Sequence, residues 1–136
     1  MVKKVSSKKY PINKFKDFIK VAESFNNGAV LAIEHEYYNA AGVLIIHAAI
    51  AYADAITIKY SSSKASGDSH YDIIGLLKDS IPPQHKNNSA LDHFKKLIDH
   101  KNMVSYSGDI YFESDIVRLK KHFARFSDWA KSILEQ

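Results

Sequence analysis

Apolar residues recur three and four positions apart along most of this chain, the spacing that gathers side chains on one face of an α-helix. No segment alternates long enough to read as a strand. The first stripe follows Pro11, with Asn13 as its predicted N-cap, and carries Phe15, Phe18, Ile19, Ala22, Phe25, Ala29, Ala32 and Ile33. Its phase continues through Asn26, Asn27 and Gly28, which predicts one long helix to about Glu36, with that triplet as the alternative break. Tyr37 and Tyr38 form a short connection to Asn39, the next predicted cap. From Ala40 to Ile58 the chain is almost continuously apolar, and its length would just allow a membrane span. His47 and Asp54 lie inside that run, alanines dilute it, and the amphipathic helices around it need a surface to pack on. These features predict the central helix of a soluble bundle.

Ser61 to Gly67 reads as a small-residue loop, after which Asp68 or Ser69 caps a shorter helix with Ile73, Ile74, Leu77 and Ile81. Pro82 and Pro83 stop it, and Gln84 to Ser89 is again loop. The next helix carries Leu91, Phe94, Leu97, Ile98 and Val104 and is expected to end near Ser107 and Gly108, where glycine supplies a left-handed cap. Ser114 then caps a last helix with Ile116, Leu119, Phe123, Phe126, Ala130 and Ile133. The expected architecture is all-α: a four- to five-helix up-down bundle over residues 12–136, preceded by a tail over residues 1–11.

Composition agrees with one packed domain. Of 136 residues 46% are hydrophobic, and 5 Gly and 3 Pro are too few for a turn-rich β-sandwich. The absence of cysteine excludes disulfides and thiolate metal sites. Charge is uneven: residues 1–20 hold seven lysines against the single acid Asp17, so the remainder of the chain is mildly acidic. Such an arm attracts phosphate or an anionic surface without sequence preference, and it serves equally as a solvated, solubilising tail. Lys3 and Lys4 could open a signal peptide, but Tyr10, Pro11, Asn13 and Lys14 stand where its apolar region belongs, so the expected location is cytoplasmic.

The informative residues are polar ones on buried stripes. An unpaired carboxylate at Asp54 would cost several kcal/mol on the order of other buried charges, so Asp54 needs a partner. His47 lies nearly two turns earlier on the same face. Lys101 falls on the inward stripe with Phe94, Leu97, Ile98 and Val104. The simplest expectation is a shared cleft in which Asp54 and Lys101 approach each other, with His47 beside them. The plain alternatives are a register-fixing salt bridge or a lysine whose stem reaches out to water.

The run His100-Lys101-Asn102-Met103-Val104-Ser105-Tyr106-Ser107-Gly108, the helix after it through Phe126 and Trp129, and the earlier run from His47 to Ile56 together resemble the HEPN superfamily of small helical proteins. The likeness spans roughly residues 12–135. It implies a homodimeric four- to five-helix bundle. It also implies a position in the last part of the penultimate helix where many members, metal-independent ribonucleases of toxin–antitoxin and defence systems, carry an Arg, a neighbouring polar residue and a His. In this chain those positions are Lys101, Asn102 and Tyr106. Tyr has an ordinary pKa near 10, against about 6.5 for His, and is a poor base at neutral pH. Lys keeps a charge but not the planar fork of Arg. The resemblance therefore implies a non-catalytic module that binds RNA, a nucleotide or a protein partner such as a nucleotidyltransferase. The alternatives are a ribonuclease toxin using Lys101 and Tyr106, and a purely structural dimerisation module.

Other chemistries find less support. His93 and His100 share a helical face with Asp92 and Asp99 beside them, but no carboxylate is followed three residues later by His, so no metal or cofactor is expected. His70 and His85 flank loops without a spacing that requires a ligand. No strained G-x-S-x-G turn and no phosphate-binding glycine loop occurs. Tyr10, Tyr37, Tyr38, Tyr60 and Tyr111 could stack bases, or form the amphipathic rim of the core.

Overall fold

The computed structural model describes residues 7–66 and 70–136. The chain is mostly helical: α1 (Phe15–Glu34), α2 (Tyr38–Ser61), α3 (His70–Ser80), α4 (Asn88–Asp99), α5 (Lys101–Ser105) and α6 (Glu113–Leu134), with two short strands, β1 (Ser7–Lys9) and β2 (Ser63–Ala65). Single 3-10 turns precede α1 and α4, at Ile12–Lys14 and Pro83–His85.

The apolar run from Ala40 became the core. α2 buries residues on every side, among them Ile45, Ile46, Tyr52, Ile56 and Ile58, and touches α1, α3, α4, α5 and α6. By length and composition α2 could cross a membrane, yet 78% of its most apolar stretch is buried by the other helices. Its alanines permit close approach, and its most extensive contact is with α1, which buries Ala22, Ala29 and Ala32. The Asn26-Asn27-Gly28 triplet does not break α1. A methyl at Gly28 would come within 3.3 Å of Leu44, so the glycine accommodates α2 without interrupting helical phase. Gly42 is tighter, because an added Cβ would lie 2.7 Å from Cγ2 of Val104. That close approach seats α5 on the first turns of α2.

Several local expectations need correction. The absence of strands does not hold. Ser7–Lys9 pairs antiparallel with Ser63–Ala65, Ser7 opposite Ala65 and Lys9 opposite Ser63, so the described part of the basic tail is hydrogen-bonded to the domain. Ser62 takes a left-handed conformation at φ 55 and turns the chain from α2 into β2. The hydroxyls of Ser61, Ser63 and Ser80 then join this corner to α3. The predicted caps Asp68 and Ser69 lie outside the described residues, as does the side chain of His70.

Asn39 is not a cap either. Tyr37 holds that position, and the Asn39 amide donates to the carbonyls of Val104 and Asp109 while its oxygen accepts from the Tyr111 N–H. All of its described bonds pin the α5–α6 connection. The last helix begins after Phe112 rather than at Ser114, with the Asp115 carboxylate accepting from the Phe112 N–H. The penultimate helix is broken at His100, which divides it into α4 and α5.

α4 and α6 close the core opposite α1. Phe94 and Phe126 stack with ring centres 4.6 Å apart, and both are fully buried. At the far end of α2, the Lys59 ammonium donates to the carbonyls of Ile133, Leu134 and Gln136, and the Tyr60 hydroxyl donates to Ile133. Lys59 and Tyr60 thereby satisfy two of the carbonyls, Ile133 and Leu134, that the last turn of α6 leaves without intrahelical partners.

Candidate functional site

The segment with the suspected motif is set by the break at His100. The His100 ring nitrogen Nδ1 lies 2.6 Å from the buried Tyr111 hydroxyl, which ties the end of α4 to the start of α6 and sends residues 101–105 off as a separate turn. Val104 alone of this turn is buried, against Gly42. Lys101 is partly exposed and Asn102 exposed, while Tyr106 retains 84% of its surface. Around them stand Met103, Ile110 and Phe112, large apolar side chains that are 41%, 70% and 65% exposed. This end of the molecule is an open surface on which Lys101, Asn102 and exposed apolar side chains stand beside the exposed Ser105, Ser107 and Asp109.

Asp54 and Lys101 do not meet. The cation paired with the buried Asp54 carboxylate is Lys64 of β2, at 3.7 Å. The expected Asp54–Lys101 pairing fails because the small-residue loop is a strand that carries Lys64 under α2, and because the break at His100 takes Lys101 off the inward stripe. α5 packs at Gly42, roughly 18 Å along α2 from Asp54 at 1.5 Å per residue. Burial pushes the Asp54 carboxyl up to about 7, and the attraction of Lys64 only partly opposes it. Thr57 donates its hydroxyl to the Asp54 carbonyl, not to the carboxylate.

His47 does lie near Lys101. Its ring packs on Phe25 with centres 5.8 Å apart, and burial, then the Lys101 charge, hold its pKa below the usual imidazole value. Of the three residues expected in one cleft, His47 and Lys101 share a neighbourhood and Asp54 belongs elsewhere. Tyr106 stands in solvent, and its hydroxyl makes no hydrogen bond among the described residues.

The other aromatic and histidine expectations divide. Tyr10 packs edge-on against Phe18, and Tyr60 lies against the C-terminus of α6, as rim residues do. Tyr111 is buried rather than available for stacking, whereas Tyr37 is 64% exposed and stacks on His35. His85 gives its carbonyl to the Trp129 indole N–H. His93 meets His122 instead of His100, with the two Nδ1 atoms 2.9 Å apart. Among the described residues no group of three or more His, Asp and Glu side chains is placed to hold a metal ion.

A small cavity of about 80 Å³ lies between α1, α2 and α6, lined by Ile19, Glu23, Tyr52, Lys131, Leu134 and Glu135. None of these residues carries a motif, and the only sequence signal for the place is Tyr52 inside the apolar run. Comparison of the chain with family models, with curated proteins and with solved structures gave no match.

Proposed function

We propose that this chain is a non-catalytic, HEPN-like helical binding module that acts as a homodimer and docks a protein through the face made by α5 and the connection to α6. The observation that carries the reading is the exposure of Tyr106, Met103, Ile110 and Phe112 beside Lys101 and Asn102. Clustered large apolar side chains in water mark an interaction surface, and a lysine and an amide at its margin add direction rather than chemistry. The partner is a second copy of the chain or, as the family resemblance implies, a nucleotidyltransferase; RNA or a nucleotide is the alternative ligand at the same face. The proposed setting is cytoplasmic.

The test is the solution mass from analytical ultracentrifugation and partner capture by the purified protein. Phe112→Asp and Ile110→Asp should each abolish dimerisation or partner binding while leaving the helical circular dichroism unchanged. Unaltered association in both variants would refute the docking face.

A second reading, the ribonuclease toxin, draws support from one observation. Burial, then the Lys101 charge, holds the His47 imidazole below its usual pKa, and the two residues set a base beside a cation near the motif, the combination that transfer of a ribose 2′-hydroxyl proton and stabilisation of a phosphorane require. RNA cleavage lost in both His47→Gln and Lys101→Ala, and retained in Tyr106→Phe, would establish it. The purely structural module built on an Asp54–Lys101 bridge loses its premise, since Asp54 pairs with Lys64.

A further inference from the structure

The α4–α6 seam carries a second arrangement that neither the motif nor the docking face uses. These helices run in opposite directions, His85 meeting Trp129 at one end and His100 meeting Tyr111 at the other. Midway, His93 and His122 face each other through Nδ1 atoms 2.9 Å apart, with ring centres at 5.1 Å and both side chains partly buried. A contact of that length between two ring nitrogens requires a proton between them, so one ring donates and the other accepts.

Three cations lie within electrostatic reach of this pair. Lys96 follows His93 by three residues and Arg125 follows His122 by three, so each lies one turn along the same side of its own helix. Because the helices are opposed, the two cations flank the pair from opposite ends, and Lys121 stands next to His122. All three are exposed. Burial first, then the charges of Lys96, Arg125 and Lys121, holds His93 below the usual imidazole pKa, and burial, then His93, Lys96 and Lys121, does the same at His122. His100 adds to this effect at His122, and Asp92 is the opposing acid at His93.

We propose that His93, His122, Lys96, Lys121 and Arg125 form a phosphate-binding site on the α4–α6 seam, separate from the α5 face and not dependent on that reading. Three positive charges against one carboxylate disfavour a metal ion, whereas a doubly charged oxyanion offsets the cations and supplies a counter-ion for a protonated histidine pair. In the charged pair the shared proton lies between an imidazolium and an imidazole, a charge-assisted bond stronger than its neutral counterpart. Anion binding is therefore coupled to proton uptake. The phosphate can belong to a mononucleotide or to an RNA backbone.

Histidine ring ¹⁵N NMR on the full chain tests this, with sulfate as the pH probe because its charge is constant between pH 5 and 8. Sulfate should shift the His93 and His122 signals saturably and bind about fivefold or more tightly at pH 6 than at pH 7.5. Lys96→Ala with Arg125→Ala should weaken binding about tenfold, whereas the exposed pair Lys16→Ala with Lys78→Ala should not. His93→Gln with His122→Gln should keep weak binding and lose its pH dependence. Adenosine monophosphate and a short 5′-hydroxyl RNA identify the source: tighter binding of the first assigns a nucleotide, and of the second, with affinity falling steeply in salt, an RNA backbone. Absence of a saturable shift, equal weakening by the Lys16 and Lys78 pair, or zinc displacing sulfate from the pair would overturn the site. Association through α5, read separately with Phe112→Asp, stands or falls on its own.

Discussion

Lys64 and Lys101 sit at opposite parts of α2, and their surroundings differ more than their chemistry. Lys64 is held by a strand under the far end of the helix, 27% of its side chain exposed, against a carboxylate that has almost no water. Lys101 opens a one-turn helix at the near end, beside exposed apolar side chains and the partly buried His47. At the first place burial dictates the partner, because an ionised Asp54 without a cation would be expelled or neutralised. At the second nothing is buried deeply enough to require one, and the surface is left free for a ligand. A charged residue near an apolar stripe thus speaks for structure where packing encloses it and for binding where packing stops.

The sharpest way to break this contrast is to remove the carboxylate. With a folded-state pKa of about 7 against an ordinary 3.8, Asp54 favours folding in its protonated form and costs stability as pH rises through the interval from about 4 to 7. At 1.36 kcal/mol per pKa unit, the stability of Asp54→Asn relative to the native chain should increase by about 4 kcal/mol between pH 4 and pH 9, measured by urea unfolding. A pH-independent difference would mean that Asp54 is well solvated. The tight seat of α5 comes next. Gly42→Ala forces Val104 aside and should lower stability by about 2 kcal/mol, with amide exchange accelerating first in residues 101–105. At the other end, Ser62→Gly relieves a left-handed residue and should raise stability by about 0.5–1 kcal/mol in the same denaturation assay. The smallest effect is expected at the open surface. Lys101→Met should change stability by less than about 0.5 kcal/mol and, by removing a nearby positive charge, raise the His47 pKa toward 6.5 in a proton NMR titration.

The helices were legible because their signal is local. Phe15 to Ile33 and Ile116 to Ile133 repeat at helical spacing, and the apolar run from Ala40 could be satisfied only by burial. The candidate site was less legible. That Asp54 needs a cation follows from its position in the run, but the cation could not be identified, because Lys64 reaches it only after Ser62 turns the chain and Ser7–Lys9 pairs with β2. Lys101 keeps helical spacing with Leu97 and Ile98, and the spacing cannot register the contact between His100 and Tyr111 that divides the helix before it. Asn39 looks like a cap by composition and position, yet its hydrogen bonds go to residues 65 or more positions away.

What the amino-acid order determined by itself is the helical class, the identity of the core helix and the need to neutralise a charge within it, since each depends on periodicity and on the cost of burying polar groups. Tertiary structure decided which lysine answers that need, where the penultimate helix breaks and which histidines touch. Those outcomes depend on contacts between residues far apart in the chain, whose free energies exist only once the helices have packed.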